Sequence, residues 1–189
     1  YDVIPPKKQD DFYARHPQNI IRLILSKGAD GDTEGNDRYS RSAADLKKWL
    51  VDGTLTRDDK PAIYYYTQTY TLKSGKKQSR KGFIALAKLV DFGKGIHPHE
   101  RTLSGPKADR LKLMQACNVN LSCIFSLYSE PSLAINRELD ASAKGPALID
   151  VVDDDGIENR LWRVNDPGTV NKVVEAMKGK PLFIADGHH

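Results

Sequence analysis

The 189-residue sequence predicts a mixed α/β (α+β) fold, a mixed sheet with flanking helices. Stretches of strand length rich in β-branched and aromatic residues recur along it, as at 61–72. Two pairs of such stretches are joined by short turns, which makes hairpins rather than a pure βαβ repeat. Between them lie amphipathic patterns at three- and four-residue spacing, the period of a helix with one buried face. With 39% hydrophobic and 29% charged residues the chain has the composition of a globular domain and enough length for a sizeable core. Disorder and fibrous structure are thereby excluded.

The elements follow in order. Residues 1–9, with Pro5 and Pro6, read as extended, because proline fixes its own φ and restricts the residue before it. Residues 20–25 form an apolar run of strand length. Residues 28–36 have the Gly and Asp content of an exposed loop; the regular oxygen spacing and distal Glu of a calcium loop are missing. From 40 to 51, Ala43, Leu46, Trp49 and Leu50 mark one helix face, and Gly53 stops the helix. Strands at 61–72 and 81–90 flank the basic turn 73–77 as a hairpin. A helix is expected over 106–116, with Leu111 and Met114 on one face. A strand at 121–128 carries Cys123 as a small buried thiol, and a helix follows at 132–143. Strands 146–152 and 160–164 pair across the acidic turn Asp153-Asp154-Asp155-Gly156. Asp166 caps a helix that runs to Met177, and a last strand spans 181–185.

The whole chain, 1–189, reads as a single α/β domain, the N-terminal part of a longer chain. Its 29 basic and 25 acidic residues interleave, giving a net charge of +4, whereas a nucleic-acid surface clusters Lys and Arg on one face. A nucleic-acid partner is therefore not expected. Two cysteines without a CxxC pair suggest reduced core thiols and a cytoplasmic location. No run approaches the roughly 18 apolar residues of a membrane span, so no membrane partner is expected. The sequence is silent on oligomeric state.

Two constellations carry chemistry. In the first, Pro98 stiffens the backbone ahead of His99 and Glu100, and Gly93 and Gly95 leave room on the approach. A carboxylate beside cationic neighbours suits a general base; the same short motif also suits a surface loop with a helix-capping Glu. In the second, the last strand delivers Asp186, Gly187, His188 and His189 to a turn, the place where α/β proteins keep ligands. Gly allows close approach, imidazoles add donors, and a helix starting there would favour an anion. Asp186 is placed to bind a metal or to orient a histidine, and a purely structural turn is the competing reading. Lys107 and Arg110, one helical step apart, suit a substrate carboxylate or phosphate, or simply a solvated face.

The set Tyr1-Asp2-Val3-Ile4, His99-Glu100 with Lys107, Asp109 and Arg110, Leu161-Trp162-Arg163-Val164 and Ala185-Asp186-Gly187-His188-His189 resembles the bacterial domain-of-unknown-function 1015 family over nearly the whole chain. More distantly, Pro98-His99-Glu100 and Asp186-Gly187-His188-His189 resemble, in the same order, two motifs of free-serine kinases of the ParB/sulfiredoxin fold. That resemblance implies a ParB/sulfiredoxin-like core with insertions, the separating region 118–180 being inserted. It implies Glu100 as catalytic base, Asp186 to His189 as the nucleotide-phosphate site, and His99, Lys107 and Arg110 as substrate-binding. It also implies Mg²⁺, held at Asp186, with ADP or ATP as donor and a small hydroxy amino acid such as free L-serine as acceptor. A ParB-like regulatory module that binds nucleotide without catalysis is the alternative. A metal-dependent hydrolase using His97, His99, His188 and His189 is a third class, and it lacks an HExxH spacing.

Overall fold

The computed structural model of the chain describes residues 3–187 and 189. Along it run α1 (Pro6–Arg15), α2 (Ile21–Ile24), α3 (Arg38–Val51), β1 (Ile63–Thr71), β2 (Lys77–Ile84), β3 (Ile96–His97) and α4 (Ser104–Cys117). Then come β4 (Phe125–Leu127), α5 (Ala134–Ser142), β5 (Ile149–Val152), β6 (Glu158–Val164), α6 (Pro167–Met177) and β7 (Leu182–Asp186). Mixed α+β architecture is therefore what the sequence folds into. The chain divides into two compact units: one holds residues up to 57, 98–126 and from 184 on, the other 58–97 and 127–183. No helix among the described residues is long and apolar enough to cross a membrane.

The second unit is built on an antiparallel sheet of order β2-β1-β6-β5. Its hairpin starts where Thr71 faces Lys77, the turn being closed by the Leu72 amide on the Lys76 carbonyl at 2.9 Å. Because so short a turn lets pairing resume at Lys77, the second hairpin strand lies at 77–84 and not at the expected 81–90. On one sheet face Ile63, Tyr65 and Val164 are buried with Ile135 and Leu139 of α5 and Val173 of α6. Trp162 stacks on Tyr65 with ring centroids 5.8 Å apart. Tyr65 donates its hydroxyl proton to Asp140, whose two oxygens also accept from Lys81 at 2.8 and 2.7 Å. Burial, then that hydrogen bond, pushes the Tyr65 hydroxyl far above its ordinary titration range. In the acidic turn the Asp153 carboxylate accepts the amides of Asp155 and Ile157, each at 3.0 Å. The expected cap is present: Asp166 accepts the Thr169 amide at 2.7 Å with Pro167 opening the helix.

The first unit is helical around Leu23, Leu46 and Trp49, with Leu55, Cys117 and Leu121 packed against them. At α3 the Asp37 carboxylate accepts the Tyr39 and Ser40 amides while Ser40 Oγ accepts the Asp37 amide, a reciprocal capping box. Four expectations are corrected here. Residues 6–15 are helix and not extended, since proline at the first helical position gives up an amide that has no intrahelical partner anyway. The apolar run at 20–25 forms the single turn α2, whose Ile21 amide is capped by Asn19 at 3.0 Å; a run of six does not separate strand from buried helix. On α4 the buried residue is Leu113, while Leu111 and Met114 are 53% and 47% exposed. Cys123 is exposed, because only 125–127 of the expected 121–128 strand is strand, and Cys117 at the end of α4 is half-buried.

Candidate functional site

A three-stranded sheet of order β3-β7-β4 carries the motif segments. The two-residue strand β3 runs parallel to β7, Ile96 facing Leu182 and His97 facing Phe183. The turn before it is tight: the Gly93 amide donates to the Ile96 carbonyl at 2.8 Å, and Gly95, at φ +107°, offers its carbonyl to the Leu182 amide at 2.8 Å. His97 and Phe183 stack, with ring centroids 4.9 Å apart and planes 18° from parallel.

From this pair the two motifs leave in step. Glu100 is three residues beyond His97, and Asp186 is three residues beyond Phe183, its partner on the neighbouring strand. Both segments, 98–100 and 184–187, belong to the first unit. The carboxyl ends of adjacent parallel strands are where open α/β sheets bind ligands, because the loops diverge there and leave a crevice. Pro98, His99 and Glu100 are exposed, and α4 begins four residues after Glu100 with no side-chain cap from Leu103.

The turn after β7 requires glycine. Gly187 has φ +70°, and a Cβ there would stand 3.0 Å from the Cys123 carbonyl oxygen and 3.4 Å from Ile124 Cα, backbone atoms that cannot swing away. The Gly187 amide donates to its neighbour Asp186 Oδ1 at 2.7 Å, which fixes that exposed carboxylate in the turn. His189 is half-buried, and His188 lies outside the described residues. β4 neighbours β7 in the sheet, and Gly187 lies against the segment just before β4.

A family model described as a protein of unknown function (DUF1015) matches residues 1–189. The chain belongs to that family. No curated protein and no solved structure matches it.

The remaining expected site residues of this DUF1015 chain lie on α4. Lys107 is exposed. Arg110 is held: its Nε donates to Asp109 at 2.8 Å and its Nη1 to the Ile24 carbonyl at 2.9 Å. Asp109 also accepts from Arg38 and, at 2.7 Å, from the Tyr39 hydroxyl, so it ties α3 to α4. Partial burial works against ionisation of Asp109, but the bonds from Tyr39 and Arg110 and the nearby guanidinium charges outweigh it and hold its carboxyl below the usual range. The Tyr39 hydroxyl is pushed up by burial and by Asp109. Among the described residues no three His, Cys, Asp or Glu side chains gather as a metal cluster, so His97, His99 and His189 form no such set.

Two features of the site escaped sequence reasoning. A two-residue strand has no periodicity to detect; Gly93 and Gly95 bracketing a turn before Ile96 were its only trace. The Arg38–Asp109 link joins residues 71 apart, and only opposite charges, one just ahead of a predicted helix and one on another, hinted at it.

Proposed function

We propose that this DUF1015 chain is a cytoplasmic small-molecule kinase with a ParB/sulfiredoxin-like core. It binds a nucleotide by its phosphates at the turn Asp186 to His189 and transfers a phosphoryl group to the hydroxyl of a small amino acid such as free L-serine. The observation that carries this reading is the equal step of Glu100 and Asp186 beyond the parallel pair His97 and Phe183. A carboxylate-bearing loop and a glycine turn that follow neighbouring parallel strand ends support the reading, because loops diverge there and leave room for a ligand.

In this mechanism Glu100 accepts the proton of the acceptor hydroxyl as its oxygen forms the new bond to phosphorus. The bond from phosphorus to the bridging oxygen breaks, and the shortened nucleotide leaves with that electron pair. The turn from Asp186 to His189, with the His189 imidazole as a hydrogen-bond donor, takes the phosphates, and His99 and Lys107 bind the acceptor. Arg110, held by Asp109, supports α4. A nucleotide-borne Mg²⁺ asks the protein for only one or two carboxylates, and exposed Asp186 fits that need as a hard oxygen ligand. Bound there, the ion would neutralise charge on the phosphates.

The test is formation of O-phosphoserine from L-serine with ATP or ADP and Mg²⁺. Glu100→Gln is expected to lose about 10²–10⁴-fold in rate with nucleotide affinity kept. An unchanged rate removes Glu100 from the mechanism. Nucleotide binding without turnover on any hydroxy amino acid would instead identify a ParB-like regulatory module.

A further inference from the structure

The sheet of the second unit has two edges of opposite character. Its β2 edge carries Lys77, Arg80 and Lys81, cationic side chains of the kind that keep an edge from pairing with another chain. These cations are engaged, Lys77 with Glu158, Lys81 with Asp140 and Arg80 with Gln68. The β5 edge, Ile149-Asp150-Val151-Val152, has neither a cation nor a proline, and its Ile149, Val151 and Val152 are 45%, 51% and 65% exposed. Neighbouring β-branched side chains left to water on a bare edge mark a surface ready to pair. The backbone fixes which groups that edge offers. The Asp153 amide donates to the Ile157 carbonyl at 3.0 Å, in register with the pairs Val151–Asn159 and Ile149–Leu161. Direction alternates along an antiparallel strand, so Ile149 and Val151 turn their backbone groups to β6, while Asp150 and Val152 turn theirs outward.

We propose that β5 pairs antiparallel with β5 of a second copy of this chain about a two-fold axis, giving a sheet continuous through both copies. Residues directly opposite in such a pair share a face, which allows a pairing centred on Asp150 or one centred on Val151. The first sets Asp150 against Asp150 and is opposed by like charge. The second sets Val151 against its own counterpart and Asp150 against Val152, the residues whose donors and acceptors point outward, so each Asp150–Val152 pair exchanges both of its hydrogen bonds. Arg160 already holds the Asp150 carboxylate at 3.1 Å, so no lone charge enters the interface. On the other face Ile149 and Val151 lie beside Leu161, and the two-fold joins these residues of both copies into one apolar strip. Pairing with the β2 edge of another copy would be head-to-tail and open-ended, and the cations there are already engaged.

The test is the mass of the full chain by sedimentation equilibrium over a wide concentration range with reductant present. It is expected to rise from one chain to two and to go no further. Val151→Lys, which sets like charges opposite each other on the axis, is expected to raise the concentration for half-dimerisation at least about tenfold. Should that variant not fold, Val151→Cys in a Cys123→Ser background decides the matter. Counterparts on the axis stand about 4.5 Å apart at Cα, within disulfide reach, so oxidation is expected to link most of the chains into covalent dimers and to leave Val152→Cys in the same background largely unlinked. A mass of one chain at every concentration overturns the proposal and leaves the edge to an extended segment of another protein. A mass that climbs past two chains, a Val151→Lys chain that dimerises like the wild type, or linkage at 152 as ready as at 151 overturns it equally. No nucleotide enters this test, so its failure is distinct from failure of the phosphoryl-transfer reading.

Discussion

The two compact units both carry charged ties but are built around apolar clusters of different size. The second is a four-stranded antiparallel sheet with one apolar layer, in which Leu139, Ile135, Tyr65, Val173 and Val164 are at most 3% exposed. The first draws three separate stretches of chain around a small cluster of Leu23, Leu46 and Trp49, and adds polar ties such as Arg38–Asp109–Arg110 and Arg41–Asp32. A non-directional apolar layer tolerates salt and pH, whereas charge-assisted ties do not. The motif residues Glu100, Asp186 and Gly187 sit in the unit with the smaller buried cluster, on loops, where functional residues are usually found.

The largest effect expected is in the apolar layer. Leu139→Ala removes a fully buried side chain and should cost about 2–5 kcal/mol, read as a lower urea midpoint and unchanged between pH 7 and mild acid. A loss below about 1 kcal/mol would show that this layer is not the second unit's main support.

Next in size is Asp109→Asn, expected to cost about 1–3 kcal/mol near neutral pH because two guanidinium groups lose their anion. The sign with pH follows from the lowered carboxyl. Its contribution is complete above the ordinary aspartate value and disappears as pH falls through the lower folded one. The gap between wild type and Asp109→Asn should thus close as pH drops below about 4, while the Leu139→Ala gap stays. A pH-independent Asp109 gap would show that the charged form of Asp109 does not stabilise the fold.

Gly187→Ala should cost about 1–2 kcal/mol, from the left-handed backbone and the crowded Cys123 carbonyl. Heat-denaturation midpoints would show it, and the same variant should weaken nucleotide binding at least about tenfold. Smallest is Asp37→Ala, about 1 kcal/mol from the lost capping box of α3.

The contrast between the units also explains what the sequence made legible. The turn of the hairpin at 63–84, the Asp153 turn and the Asp166 cap depend on neighbours in sequence and are found where turn chemistry places them, although the second hairpin strand starts four residues earlier than patterning gives it. The first unit's features depend on partners far away. Proline at 5 and 6 permits both an extended start and a helix start, and only tertiary packing selects α1. Cys123 sits in an apolar run, yet its strand begins two residues later and the thiol is left exposed. Of the site, the motifs themselves were readable, but β3 was not: two residues carry no pattern, and its pairing partner lies 86 positions away.

The central claim is that Glu100 and the Asp186 turn leave adjacent strand ends and serve one nucleotide. Backbone amide spectra recorded while Mg²⁺-nucleotide is added test it most directly. The account predicts that the largest shifts fall at 97–100 and 184–189, with the Gly187 amide among them, and that Gly187→Ala abolishes them. Saturable nucleotide binding that leaves both segments unmoved would contradict it.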